Sequence, residues 1–91
     1  GTFYDAYDVN TEQGKNNINN SGQRYYTCII VISNYTKINF LNLKIIKKLE
    51  RKSVLLYNNI LKDSNERNPD MKKFFSNIDE SILMNLYILK K

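Results

Sequence analysis

The stretch RYYTCIIVIS, from Arg24 to Ser33, restricts the possible folds more than any other part of the chain. Tyr, Thr, Ile and Val favour extended backbone, because branched and aromatic side chains pack well on a pleated surface. The unbroken apolar run from Cys28 to Ile32 predicts a strand that is buried on both of its faces. This strand should therefore lie at the centre of a sheet.

Two further segments resemble strands. TFYDAYDV alternates aromatic and polar residues and predicts a strand over Thr2 to Val9. KINF, starting at Lys37, predicts a short third strand. The run NTEQGKNNINNSGQ is rich in Asn, Gly and Ser and predicts a long hairpin loop between the first two strands.

From residue 41 onward the spacing of apolar residues changes. Several of them recur at distances that place them on one helical face: Ile45, Leu49, Leu56 and Ile60. This pattern predicts helices over about 41–49 and 52–62. The break between them should fall where charged residues crowd around Ser53.

The end of the chain carries signals for two more helices. Asn68 is a suitable N-cap, and Pro69 suits the first helical position. A last helix, over about 79–90, would begin with acidic residues and end with Lys90 and Lys91, as the helix dipole favours. The predicted fold class is therefore α+β. An antiparallel β-meander of two to three strands, about 2–40, precedes a helical subdomain of three to four helices, about 41–90.

Composition limits the function classes. The 91 residues suffice for one domain, and 14 Lys and Arg against 9 Asp and Glu give a net charge of +5, which suits an anionic partner. Six cations lie in one stretch that has Glu50 as its only acid: Lys37, Lys44, Lys47, Lys48, Arg51 and Lys52. The chain lacks His and has a single Cys, which removes the commonest general base and the usual zinc sites. We therefore expect no catalytic activity, no metal and no cofactor.

Two features bear on the compartment. Cys28 has no second cysteine to pair with, which favours a reducing environment. The sequence has no apolar run of about 18 residues or more, so we expect no transmembrane segment.

The order of these segments resembles the phox-homology (PX) domain. The similarity is greatest in ERKSVLLYNNILKDSNERNPDMKKFFSNID, which resembles the final helices of that family, and it covers most of Phe3 to Asp79. Phe74 and Phe75 would then pack on the helical bundle. The resemblance implies a phosphoinositide-binding module of a sorting nexin or related trafficking protein, excerpted from a longer chain. It would be cytoplasmic and peripheral on endosomal or other intracellular membranes.

The same resemblance indicates a candidate anion site. The family motif Arg-Arg-Tyr-Ser-Asp-Phe corresponds here to SNYTKI, so Tyr35 matches the tyrosine that stacks under the inositol ring. Asn34 replaces the arginine that binds the 3-phosphate, and Arg51 matches the arginine at the head of the family's long helix, which contacts ring hydroxyls or a distal phosphate. The proline-rich membrane loop of the family is missing. The candidate lipid- or phosphate-binding residues are therefore Tyr35, Lys37, Arg51 and Lys52.

Two alternatives remain open. YYTCIIVISNYTKINFLNLKIIKKLERK is also similar to the last strands and the helix of longin domains, which bind proteins in vesicle trafficking. A basic RNA-binding module, similar to the small Alu-domain proteins of the signal recognition particle, is the other. Most of the cations fall on predicted helices rather than on strands, which disfavours nucleic acid. We therefore predict a non-catalytic module that binds anionic phosphoinositide membranes or recruits proteins.

Overall fold

Each of two antiparallel sheets is built around one central strand, and the two central strands follow one another along the chain. The computed structural model describes residues 1–32, 35–76 and 83–90. The regular elements within these residues are α1 (Glu12–Ser21), β1 (Gln23–Val31), β2 (Thr36–Phe40), β3 (Ile45–Leu49), β4 (Val54–Asn58), a 3₁₀ turn (Pro69–Met71), β5 (Lys73–Ser76) and β6 (Leu83–Lys90). One sheet has the strand order β4-β1-β6, and the other has the order β3-β2-β5.

The two sheets share one apolar core. Its fully buried members come from β1, β2 and β3: Ile29, Val31, Ile38, Phe40 and Leu49. Across the interface the ring of Phe40 meets the ring of Tyr57 edge-on, with 5.6 Å between centroids. Because side chains from both central strands meet in this core, the sheets face each other as a sandwich.

The segment that precedes α1 is fastened to β1 by one buried side chain. Gln23 is fully buried. Its Oε1 accepts a hydrogen bond from the backbone N–H of Tyr7, and its Nε2 donates to the carbonyls of Tyr7 and Asn65. This amide therefore joins three parts of the chain, and its polar atoms are satisfied although no water reaches them.

α1 occupies the Asn-rich stretch, where the prediction of a hairpin loop is wrong. Thr11 caps the helix, because its Oγ1 accepts a hydrogen bond from the backbone N–H of Gly14 at 3.0 Å. The helix ends at Gly22, which adopts φ 91° and donates its N–H to the carbonyl of Ile18. Gly14 packs so tightly that a Cβ there would lie 1.8 Å from the Asp8 carbonyl oxygen. Good caps thus override the weak helix propensity of asparagine.

The predicted order of strands followed by helices is wrong. Within the described residues the chain has one α-helix and six strands, and β3, β4, β5 and β6 occupy the region in which helices were predicted. Residues 79–82 of the predicted last helix lie outside the described ranges. The helical half that resemblance to PX domains implied is therefore not formed.

The predicted first strand is also wrong. Of the stretch from Thr2 to Val9, only Phe3 pairs, in an isolated bridge with Lys73. The strand predictions for RYYTCIIVIS and KINF are confirmed by β1 and β2. The expectation that β1 is buried on both faces is wrong, because Cys28 and Ile30 are half-buried.

The predicted helix start at Asn68 is half correct. The Asn68 side chain caps the N–H of Asp70 at 3.0 Å, and Pro69 opens the helical turn. The turn ends at Met71, and the chain then extends into β5. Phe75 packs against the core of the sandwich rather than on a helical bundle.

Candidate functional site

In the β3-β2-β5 sheet, β2, a four-residue turn and β3 form a hairpin, which we call the lysine hairpin (Thr36–Leu49). Its turn and most of β3 are exposed, whereas β2 is largely buried. Two contacts brace its turn against the rest of the molecule. The N–H of Leu41 donates to the carbonyl of Lys72 at 3.1 Å, and Asn42 Nδ2 donates to the carbonyl of Pro69 at 2.7 Å. Lys44 closes the turn with φ 55°. The hairpin is therefore held in place up to its tip.

The tip of the lysine hairpin is apolar and exposed. Ile46 is 67% exposed, and three neighbours are about 40% exposed: Leu41, Leu43 and Ile45. Ile45 and Ile46 also line an open apolar cleft of about 300 Å³ together with Phe40 and Phe74. Exposed apolar side chains that cluster at one loop mark a surface that meets another apolar phase.

Lysines lie in the turn beside this apolar tip and along β3 toward the base of the lysine hairpin. Lys44 lies in the turn, Lys47 and Lys48 lie on β3, and all are exposed. Lys48 pairs directly across the strands with Lys37. Like charges in directly opposed positions destabilise a sheet. The carboxylate of Glu50 lies 3.9 Å from Lys48 Nζ and offsets part of this repulsion. Both side chains of that ion pair are exposed, so an external anion can also approach the two lysines.

The structure places the predicted site residues at the opposite end of the lysine hairpin. Tyr35 and Lys37 lie at the start of β2, and Arg51 and Lys52 lie in the turn after β3 rather than at the head of a helix. The Tyr35 ring stacks with Lys48, whose Nζ lies 4.4 Å from the ring centroid. Asn34 lies outside the described residues.

The four predicted residues are therefore only partly assembled. Lys52 adopts φ 69°, and its backbone N–H donates to Val31 at 2.8 Å, so its position is fixed by the turn. The described part of the chain shows no hydrogen bond, ion pair or cation–ring contact among Tyr35, Lys37, Arg51 and Lys52. Sequence reasoning missed the role of the tip, although FLNLKIIKK shows apolar and basic residues interleaved.

The other arginines contact aromatic rings. Arg24 lies between two rings, 4.7 Å from the Tyr7 centroid and 4.2 Å from the Tyr87 centroid. Arg67 lies 4.1 Å from a third ring centroid and forms an ion pair of 3.4 Å with Asp8. Arg51 is thus the arginine most available to an external phosphate.

A second polar cluster lies between the sheets and is centred on Asp5. Its Oδ2 accepts hydrogen bonds from Thr27 Oγ1 at 2.9 Å and from the hydroxyl of Tyr57. Lys73 Nζ lies 3.1 Å from the same oxygen and donates to the carbonyl of Met71. The Lys73 side chain is 0% exposed and that of Asp5 is 6% exposed, so the pair is desolvated.

Burial controls the protonation of this cluster. It lowers the pKa of Lys73, and the carboxylate of Asp5 only partly offsets this effect. Burial also raises the pKa of Tyr57, and the negative charge of Asp5 and its hydrogen bond raise it further. Lowered lysine pKa values occur in catalytic sites. Here the ammonium is fully enclosed and bonded to its neighbours, which favours a structural role.

Two findings concern the molecule as a whole. None of the helical segments in the described residues has both the length and the hydropathy needed to traverse a bilayer. No protein-family model, curated protein or solved structure matches the chain.

Proposed function

We propose that the domain is a non-catalytic module that binds anionic membrane surfaces through the lysine hairpin. The observation that carries the proposal is the exposed apolar tip, with Ile46 the most exposed, among the cations Lys44, Lys47 and Lys48. In this arrangement the apolar side chains enter the acyl boundary of the leaflet. The lysine ammonium groups remain at the level of the lipid phosphates.

The two kinds of residue contribute comparable free energies. Each lysine near an anionic leaflet contributes roughly 1 kcal/mol, so the four lysines of the hairpin give about 4 kcal/mol. Alone, that corresponds to a millimolar-scale affinity. Burying the remaining exposed half of each apolar tip residue adds about 1 kcal/mol per residue. The apolar tip therefore distinguishes a membrane from other polyanions, since RNA offers it no apolar phase.

Headgroup phosphates are the second element of the proposal. Lys48 stacks on the Tyr35 ring, forms an ion pair with Glu50 and lies opposite Lys37. Arg51 and Lys52 follow in the next turn. A headgroup with several phosphates, as in phosphoinositides, matches this distribution better than a single phosphate does. Anionic lipids are concentrated in the cytoplasmic leaflet, so the proposal places the domain there, peripherally on an intracellular membrane.

Vesicle sedimentation tests the proposal. We expect the chain to sediment with vesicles that contain phosphatidylserine or a phosphoinositide and to remain in solution with phosphatidylcholine alone. Lys44→Gln with Lys47→Gln should weaken binding roughly 10- to 30-fold, because two lysines are removed. Leu43→Ser with Ile46→Ser should weaken it at unchanged charge. The remaining binding of that variant should fall more steeply between about 50 and 200 mM salt.

A matched control separates the site from net charge. Lys15→Gln with Lys62→Gln removes two exposed cations outside the lysine hairpin. Equal losses in both lysine pairs would show that only overall charge matters and would contradict the proposal. Arg51→Glu with Lys52→Glu tests the headgroup positions separately, and unchanged phosphoinositide binding would remove them from the site.

A further inference from the structure

The β4-β1-β6 sheet has an outer face that is apolar and not covered by the described part of the chain. Along β1, Thr27, Ile29 and Val31 are buried between the sheets, so alternate residues point outward. Direct cross-strand partners share a face. The register therefore gives three outward rows: Val54–Ile30–Met84, Leu56–Cys28–Leu86 and Asn58–Tyr26–Ile88. We call these nine residues the outer face.

The exposure of this face is large. Val54, Leu56 and Ile88 are each more than half exposed, and Leu86 and Met84 are nearly so. Given the size of these side chains, the apolar area that faces solvent is on the order of 600 Å², the upper end of what a monomer usually shows. Two such faces together would bury about 1,200 Å², which reaches the range of stable protein interfaces.

The charge distribution on the outer face favours a second copy of the chain as its binding partner over an anionic membrane. The chain has 23 charged residues (14 plus 9) and a net charge of +5, yet none of these nine residues is charged. The next outward residue of β6 is Lys90, which lies at the edge of the face. A leaflet of anionic lipid would be matched by lysines among these positions, as in the lysine hairpin. A second copy of the chain presents the same uncharged, flat face, so the repulsion between two +5 molecules is not concentrated at the contact.

We propose that two copies of the chain associate by packing their outer faces against each other around a twofold axis. Such an interface is isologous, so each row meets a row of the partner copy. Facing sheets pack about 10 Å apart and exclude water from the apolar rows. The dimer forms in solution and does not depend on lipid.

Cys28 provides a position-specific probe, since it lies in the central row of the central strand and is the only cysteine. A twofold axis through the middle of the face brings the two Cys28 residues opposite each other. At about 10 Å between sheets the two Cα atoms are too far apart for a direct disulfide. The two sulfurs point into this gap from opposite sides and lie closer together than the Cα atoms, so a short, flexible bismaleimide should join them.

The experiment combines sedimentation equilibrium in lipid-free buffer with this cross-linker. We expect a monomer–dimer equilibrium and a covalent dimer that Cys28→Ser abolishes. Leu56→Lys places like charges at the centre of the interface and should raise the dissociation constant about 100-fold or more. Its control is Ile46→Lys, which adds the same charge at an exposed position of the other sheet and should leave the dimer intact.

Several outcomes would overturn the proposal. A monomer up to high micromolar concentration would do so, as would equal effects of Leu56→Lys and Ile46→Lys. A dimer that Cys28 does not cross-link would place the interface elsewhere. Circular dichroism and urea unfolding of both lysine variants establish that they are folded, and Leu56 is 58% exposed, so the substitution does not enter the core. Vesicle binding by a chain that stays monomeric would leave the lysine hairpin proposal standing.

Discussion

In the β4-β1-β6 sheet the charged groups are buried at the inner face and apolar residues face solvent, which reverses the usual distribution. The face toward the other sheet contacts a buried ion pair, formed by Asp5 and Lys73, whereas the nine residues of the outer face are uncharged and Lys90 lies only at its edge. In an antiparallel sheet with one solvated face, polar residues normally alternate outward. This sheet instead has apolar residues on both faces, which is the pattern of a sheet that is covered on both sides.

The two faces of this sheet are stabilised in different ways. The inner face combines apolar packing with a polar network in which Asp5 has three partners, Thr27, Tyr57 and Lys73. Such a network stabilises only when its members are all present, because a lone buried charge is costly. The outer face consists of apolar side chains that do not depend on one another, so the substitution of any one of them should change the stability of the folded monomer only slightly.

Removal of Lys73 should lower the free energy of unfolding more than the other substitutions, because it disrupts the polar network around Asp5. Lys73→Met leaves the carboxylate of Asp5 buried without its cation, and we expect a loss of about 3–5 kcal/mol in the free energy of unfolding. Urea denaturation measures this value. Asp5→Asn with Lys73→Met removes both charges and should recover most of the loss. A single variant as stable as the wild type would mean that Asp5 does not hold a buried charge.

The central strands β1 and β2 could be predicted from sequence, whereas the strands from β3 onward could not. Ile45 and Leu49 are four residues apart, as are Leu56 and Ile60. A spacing of four places two residues on one face of a helix, but it also places them on one face of a strand, since four is a multiple of two. The spacing alone therefore does not distinguish the two structures. The β-branched residues and the shortness of each run were the better signal.

The sequence predicts which residue types form the candidate sites, but it does not predict which of these residues lie next to each other in the fold. The sequence shows that Lys37 and Lys48 belong to a basic segment, but only the register of the lysine hairpin shows that they are direct partners. Asp5 and Lys73 lie at opposite ends of the chain, and no local pattern connects them. The outer face likewise appears only once β4 and β6 are known to flank β1.

Two alanine substitutions at neighbouring positions of β1 measure how much each face of the sheet contributes to stability. Ile29 is 1% exposed and points into the core, whereas its neighbour Ile30 points into the outer face. Ile29→Ala should cost about 2–5 kcal/mol at any protein concentration, because it leaves a cavity. Ile30→Ala should cost about 1 kcal/mol in dilute protein.

Thermal or urea unfolding at low and high protein concentration measures both effects. A dimer that unfolds to monomers becomes more stable with concentration, so the penalty of Ile30→Ala should grow as the protein is concentrated. The penalty of Ile29→Ala should change much less. If both penalties are large in dilute protein, the outer face is already buried within the chain, and the contrast between the faces disappears.

The tyrosine of the polar network, Tyr57, has an effect on stability that depends on pH. Burial and the neighbouring carboxylate of Asp5 raise the pKa of Tyr57 above its ordinary value of 10.0. At pH above 10 the unfolded chain releases the Tyr57 proton while the folded chain retains it. The unfolded state then binds fewer protons, and stability falls as pH rises, by up to about 1.4 kcal/mol per pH unit for this one group.

Tyr57→Phe should therefore cost about 1–3 kcal/mol at neutral pH, because Asp5 loses a donor, and the cost should shrink above pH 10. The lowered pKa of Lys73 acts in the opposite direction, since stability gained from that group rises with pH up to its unfolded value of 10.5. The raised pKa of Tyr87 contributes an alkaline loss of its own. Both groups are present in wild type and variant, so the difference between the two unfolding profiles isolates Tyr57. If the free energies of unfolding of wild type and Tyr57→Phe change in parallel from pH 9 to 12, the Tyr57 hydroxyl ionises as readily in the folded chain as in the unfolded one. That result would place Asp5 in a solvated rather than a buried environment.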